Sequence, residues 1–213
     1  MGLRSRLLAG FASQLGKPTG LRGRFVGIML NRANRGTVTA AIDALAVQPG
    51  AVAADLGFGG GVGLALLLER VGPHGQVHGV DLSATMVGRA SRRFKGDVAS
   101  GRLHLHTGSI TQLPLENGSL QGVITINTIY FIAKLDRAFS EMARVTTPLG
   151  RVVVGIGDPA MMARMPTTPF GFTLRSPDDV AAVAKSGGLA LQDHRRVGRG
   201  DNAAHLLVFA HVS

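Results

Sequence analysis

The chain is 213 residues long and 45% hydrophobic, with a mean hydropathy of +0.22, 30 glycines and a formal net charge of +10. This length and apolar fraction predict one sizeable core and exclude a disordered chain, and no apolar run reaches the roughly 18 residues of a membrane-spanning helix. Cysteine is absent, which excludes disulfides, thiolate metal centres and a cysteine nucleophile, and is compatible with a cytoplasmic location.

The positive charge is concentrated at the front. Arg4, Arg6, Lys17, Arg22, Arg24, Arg32 and Arg35 all precede the first acid, Asp43. Residues 1–30 therefore read as a basic arm ahead of one domain over residues 31–213. Leu3, Leu7, Leu8, Phe11 and Leu15 fall roughly on one helical face. The candidate roles of the arm are a solvated extension, contact of residues 1–24 with an anionic membrane surface, or capture of an acidic or nucleic-acid partner. Its apolar stretch is too short and interrupted for a signal peptide.

Residues 31–45 read as a helix, with Ala40, Ala41, Ala44 and Leu45 at helical spacing, and Pro49-Gly50 as a turn. Strands are expected near residues 51–56, 77–81, 103–107, 121–127 and 151–156. Helices are expected between them, near residues 62–71, 83–95, 134–145 and 176–187. Such alternation predicts right-handed crossovers and a parallel sheet. Two final strand-like runs, residues 189–196 and 203–211, are joined by Gly198-Arg199-Gly200-Asp201-Asn202. A loop that short predicts a hairpin, and so an antiparallel strand in an otherwise parallel sheet. The fold class is therefore α/β, a doubly wound, mostly parallel seven-stranded sheet with a C-terminal antiparallel hairpin.

The stretch Asp55-Leu56-Gly57-Phe58-Gly59-Gly60-Gly61 sits between the first strand and its helix. Strand, glycine turn and helix together make the local architecture of a nucleotide site. A dinucleotide fingerprint needs Gly-x-Gly-x-x-Gly, and from Gly57 that frame puts Val62 at the third glycine. A carboxylate at Asp55 would also repel a pyrophosphate but attract an ammonium. A nicotinamide oxidoreductase is thereby disfavoured. A second acid, Asp81, ends the next strand in Gly79-Val80-Asp81-Leu82-Ser83, at the spacing of a ribose-binding carboxylate.

The acid-x-Gly-x-Gly-x-Gly turn together with Gly-Val-Asp-Leu-Ser resembles the class I S-adenosylmethionine-dependent methyltransferases of the small-molecule type. Arg144-Val145-Thr146-Thr147-Pro148-Leu149-Gly150-Arg151 resembles that family's turn before strand five. The resemblance implies a Rossmann-like methyltransferase fold and S-adenosyl-L-methionine as cofactor. By the same resemblance, Gly57, Gly59 and Gly61 line the methionine part with Asp55 near its ammonium, Asp81 takes the ribose hydroxyls, and Leu82 packs on the adenine. Ser109 and Ile110 follow strand three, where the family often carries an aspartate for the adenine amino group. Asn127 lies at the end of strand four, beside the cofactor, and Tyr130, the only tyrosine, is the substrate-binding candidate. Both prolines of the amino-methylating Asn-Pro-Pro-Tyr motif are missing there, which argues against that chemistry.

No catalytic residue is assigned, because displacement at a sulfonium needs alignment and exclusion of water more than acid–base groups. The Met- and Pro-rich stretch from Asp158 to Pro177 reads either as an insertion covering core or as a lid over an apolar substrate. His104 and His106 share one strand face without a third ligand in sight, so no metal site is expected. The predicted activity is methyl transfer to a small, apolar or amphipathic acceptor, in a cytoplasmic protein that the arm could place at a membrane. The alternatives are an RNA methyltransferase, disfavoured by 5% aromatics and no tryptophan, and a non-catalytic cofactor-binding or membrane-surface protein.

Overall fold

The computed structural model describes residues 35–166, 168–169, 171–198, 200 and 203–212. The basic arm, and with it every expectation for residues 1–34, lies outside the described residues. Residues 35–45 form helix α1, whose Val38, Ala41, Ile42 and Leu45 are buried at helical spacing.

Strands β1 (Val52–Leu56), β2 (Gln76–Asp81), β3 (Leu103–Thr107), β4 (Leu120–Ile126), β5 (Thr146–Gly157), β6 (Leu189–Val197) and β7 (Ala204–His211) form one sheet. Its order is β3-β2-β1-β4-β5-β7-β6. The first five strands are parallel, and β7 runs antiparallel between β5 and β6. The hairpin and the doubly wound sheet are as the sequence predicts. Strand order reverses between β1 and β4, and this leaves a crevice at their carboxyl ends, the usual ligand position in open α/β sheets.

The helices are α2 (Val62–Val71), α3 (Ala84–Arg93), α4 (Lys95–Ala99), α5 (Leu135–Val145), α6 (Pro159–Met162) and α7 (Pro177–Ser186). Each sheet face buries its own core. One packs Leu64, Leu67 and Val71 of α2 and Met86 of α3 against Val77 and Ile124. The other packs Phe139 and Met142 of α5 and Val180 of α7 against Val152, Val154 and Phe209. Ser176 opens α7 with a reciprocal capping box to Asp179, and Pro177 fills the first turn, where a missing N–H costs nothing.

Two boundaries differ from the sequence reading. The helix expected over 83–95 breaks at Phe94, which turns to φ −106° and brings its ring edge over Gly61. The turn expected within Arg144–Arg151 belongs to β5. Leu120 pairs with Thr146 and Gly122 with Arg151, so Thr147 to Gly150 bulge out of a strand that has already begun.

Candidate functional site

β1 ends at Asp55 and Leu56, and the chain turns through Phe58–Gly61, closed by the Gly61 N–H on the Phe58 carbonyl at 2.9 Å. Phe58 is the apolar member of this turn and is buried among α2, β2 and β3 residues, which pins the loop. Gly57, Gly59 and Gly61 all have positive φ (76°, 50° and 76°), a conformation that glycine alone adopts without strain. A Cβ on Gly59 would meet nothing within 4 Å, so the turn presents bare backbone to open space. A Cβ on Gly57 would instead strike Thr128 at 2.4 Å, since the loop after β4 lies against it.

Two carboxylates are buried beside this turn. Asp55 is 5% exposed and Asp81 8%. Both oxygens of Asp81 accept backbone N–H groups, Oδ2 from Gly59 at 2.9 Å and Oδ1 from Ser83 at 2.8 Å. Each oxygen keeps a second lone pair for a ligand. Burial raises the Asp81 pKa above its ordinary value, and the two N–H bonds pull against that shift. The cap of α3 is Ser83, whose Oγ accepts the Met86 N–H at 3.4 Å, so Asp81 is not needed for that task.

Asp55 is placed differently. Its carboxylate lies against the first turn of α2, so near Gly63 that a Cβ there would sit 2.1 Å from Oδ2. No ion pair with a described residue compensates it. Burial first, and the neighbouring Asp81 charge second, push its pKa from the ordinary 3.8 up to about 8. The pair places two buried carboxyl groups beside a half-buried glycine turn. Such a site suits a cation joined to a diol and disfavours a pyrophosphate.

The matched family now fits what the geometry shows. Residues 54–154 match the methyltransferase domain family. Over that stretch the chain resembles a class I S-adenosylmethionine-dependent methyltransferase domain. Over 136 residues it is 33% identical to an arsenite methyltransferase of Halobacterium salinarum, covering 63% of this chain and 31% of that protein. Over 141 residues it is 30% identical to a demethylmenaquinone methyltransferase of Oceanobacillus iheyensis, covering 66% of this chain and 59% of that one. The chain thus spans about a third of the first relative's length and under two thirds of the second's. Its fold is similar to that of a SAM-dependent methyltransferase from Aquifex aeolicus, with a TM-score of 0.74 and 16% identity over 96% of this chain and 98% of that one.

Within the matched stretch the other expected site residues lie along the same carboxyl edge. Leu82, directly after Asp81, is 55% exposed and offers an apolar surface at the rim. Ser109 spends its hydroxyl locally, 2.8 Å from Thr111 Oγ1 and accepting the Thr111 N–H at 3.2 Å. Ile110 beside it is buried. Asn127 adopts φ +55°, donates its N–H to the Gly155 carbonyl and accepts the Tyr130 hydroxyl at 3.2 Å. That hydroxyl also accepts the Gly157 N–H at 2.6 Å. Tyr130 is only 4% exposed, and burial holds its pKa above the ordinary phenol value, so it stays protonated. This burial favours packing over direct acceptor contact, because the hydroxyl is spent bracing the β4 loop against the end of β5.

Residues that motif reasoning missed complete the site. Gly63 falls outside the glycine signature, yet it alone leaves room for the Asp55 carboxylate. Thr128 closes on Gly57, and its Oγ1 donates to the Ile126 carbonyl at 3.1 Å. Arg93 caps the turn from α3, donating to the Gly60 carbonyl at 2.9 Å while its guanidinium lies 4.8 Å from the Phe94 ring centre. The stretch after β5 folds back onto the site. The Thr173 N–H binds the Tyr130 carbonyl, and Arg175 donates to the carbonyls of Ile129 and Ile132 at 3.1 and 3.2 Å. Phe131 and Phe172 pack at 4.8 Å between ring centres, each also against Tyr130.

The histidine pair on β3 gains a third member. His78 on β2 stacks on His104 at 4.9 Å and on His106 at 5.6 Å, with His78 Nδ1 and His106 Nε2 3.3 Å apart. Register pairs His78 with His104 directly, a neighbour that spacing along one strand cannot reveal. Among the described residues no group of three or more such side chains is arranged to hold a metal ion.

Proposed function

We propose that this chain binds S-adenosylmethionine at the carboxyl ends of β1 and β2 and catalyses transfer of its methyl group to a small, apolar or amphipathic acceptor. The observation that carries the reading is the buried Asp55–Asp81 pair beneath the uncovered backbone of Gly59. Asp55 would take the ligand's ammonium, and the remaining lone pairs of Asp81 would take the ribose hydroxyls. Leu82 would lie against the adenine, with the Ile110 amide at its edge and Ser109 in a supporting turn. Asn127 would stand beside the reacting centre.

When bound, the cofactor supplies a methyl carbon already attached to a sulfonium leaving group. The protein's remaining tasks are to orient the acceptor and to exclude water. Segment 158–175 suits the second task. It starts at Asp158, which caps α6 through the N–H groups of Ala160 and Met161, and it is fastened across the β4 loop by Arg175. Met162, Phe172 and Leu174 pack on the core from this segment. We read the segment as the lid of an apolar acceptor pocket. The relatives named for arsenite and demethylmenaquinone methylation are consistent with a small acceptor.

The test is calorimetric titration with S-adenosylmethionine, S-adenosylhomocysteine and NAD. Micromolar binding of the first two without NAD is expected. Binding of NAD instead, or of none of the three, would sink the proposal.

A further inference from the structure

Among the described residues no cation forms an ion pair with the Asp55 carboxyl group, which rests against the first turn of α2. The elements around it offer it little. β2 contributes Asp81, a second carboxylate, whose oxygens are already the acceptors for Gly59 and Ser83. α2 contributes Gly63 and β4 contributes Ile124, neither with charge. One cation tethered to the turn, Arg93 of α3, has its Nη1 committed to the Gly60 carbonyl. Two carboxylates this buried cannot both hold a negative charge at small cost. Asp81 is the one stabilised as an anion, because it accepts two N–H bonds.

We infer that Asp55 exchanges its proton for the ligand's ammonium. In the free protein its carboxyl is neutral, and arrival of the α-ammonium of S-adenosylmethionine or S-adenosylhomocysteine converts it to a carboxylate. The O–H bond of Asp55 breaks, the proton leaves to buffer, and the ligand keeps its own charge. An ion pair replaces a neutral acid, so Asp55 and the ammonium it meets carry no net charge between them once bound. The free-protein value of about 8 is consistent with this order of events, because at pH 7 the group is mostly protonated. Affinity then rises with pH, approaching tenfold per unit below about pH 8, and falls again where the ligand's own ammonium loses its proton. The inference rests on the cofactor assignment proposed above.

The experiment titrates S-adenosylhomocysteine into the full chain near pH 7 in two buffers of different ionisation enthalpy, phosphate and imidazole. A heat that differs between buffers by most of one released proton is expected. The same titration with 5′-methylthioadenosine, which keeps the nucleoside but lacks the amino-acid end, should release little. Asp55→Asn should bind S-adenosylhomocysteine with no proton release and with a dissociation constant nearly flat between about pH 6 and 8. Equal heats in both buffers for the unaltered chain, or equal release with 5′-methylthioadenosine, would overturn the inference. Absence of S-adenosylhomocysteine binding would instead refute the cofactor reading on which it stands. The buffer comparison needs no variant, so a poorly folded Asp55→Asn leaves the test intact.

Discussion

At the scale of single residues, the site depends on where two carboxylates are allowed to be. Asp81 holds the glycine turn through Gly59 and the start of α3 through Ser83. Asp81→Ala should weaken S-adenosylhomocysteine binding by about 1.5–3 kcal/mol, the range for hydrogen bonds to a charged group. Unchanged titration would show that the ribose lies elsewhere. Gly63 matters for a different reason. Its missing Cβ is the space that Asp55 fills. Gly63→Ala should cost about 1–3 kcal/mol of stability as an overpacked contact. Asp55→Ala should remove most of that cost, because the colliding atoms are gone. A double-mutant cycle by chemical denaturation checks this, and additive effects would refute the contact.

At the scale of elements, short motifs turn out to act at a distance. Arg144, met in sequence as the start of a turn, is an α5 residue that clamps the β3–β4 loop. It donates to the carbonyls of Leu113 and Leu115, to Asn117 and to Glu141, while Glu141 accepts the Leu113 N–H. The segment after β5 is held by an analogous clamp from Arg175 to Ile129 and Ile132. Arg175→Ala should loosen segment 159–175. Trypsin cleavage after the exposed Arg164 should then become several-fold faster, while S-adenosylhomocysteine affinity stays within about threefold, below ~0.7 kcal/mol. Equal cleavage rates would show that the clamp does not restrain that segment. On the β2–β3 edge, burial first and the neighbouring imidazoles second lower the His78 pKa from 6.5 to about 4. Between those values the unfolded chain binds the proton that the folded chain refuses. Stability therefore falls as pH drops from about 6.5 through about 4. His78→Gln should flatten that part of the denaturation profile relative to the unaltered chain, and parallel profiles would exclude His78 as the cause.

At the scale of the whole molecule, the basic arm and the cofactor motifs are separate along the sequence. Five basic residues and no acid lie within residues 1–24, ahead of every cofactor motif. Deleting residues 1–24 should leave the S-adenosylhomocysteine dissociation constant within about threefold, below ~0.7 kcal/mol. It should also reduce salt-sensitive co-sedimentation with anionic phosphatidylserine vesicles, where each basic residue near the surface is worth roughly 1 kcal/mol. If the full chain does not sediment at low salt, the membrane role of the arm is wrong.

The sequence by itself determined the order of elements, the glycine turn after β1, the acid closing β2 and the final hairpin. These are local signals: period-2 and period-3.6 patterning, positive-φ glycines and a five-residue loop lie within a few residues of what they specify. Tertiary structure alone decided what those residues meet. Asp55 and Asp81 influence each other because β1 and β2 are parallel neighbours in register, Asp55 opposite Gly79. Gly63 and Thr128 belong beside the turn because α2 packs on Asp55 and the β4 loop closes on Gly57. His78 joined His104 across a strand pair, and Phe94 broke a helix to reach Gly61. Tyr130 is turned inward by the Gly157 N–H on its hydroxyl. Except for Gly63 against Asp55, each of these contacts joins residues far apart in the chain. Their cost or benefit arises only when packing removes water from both partners, which no window of neighbouring residues encodes.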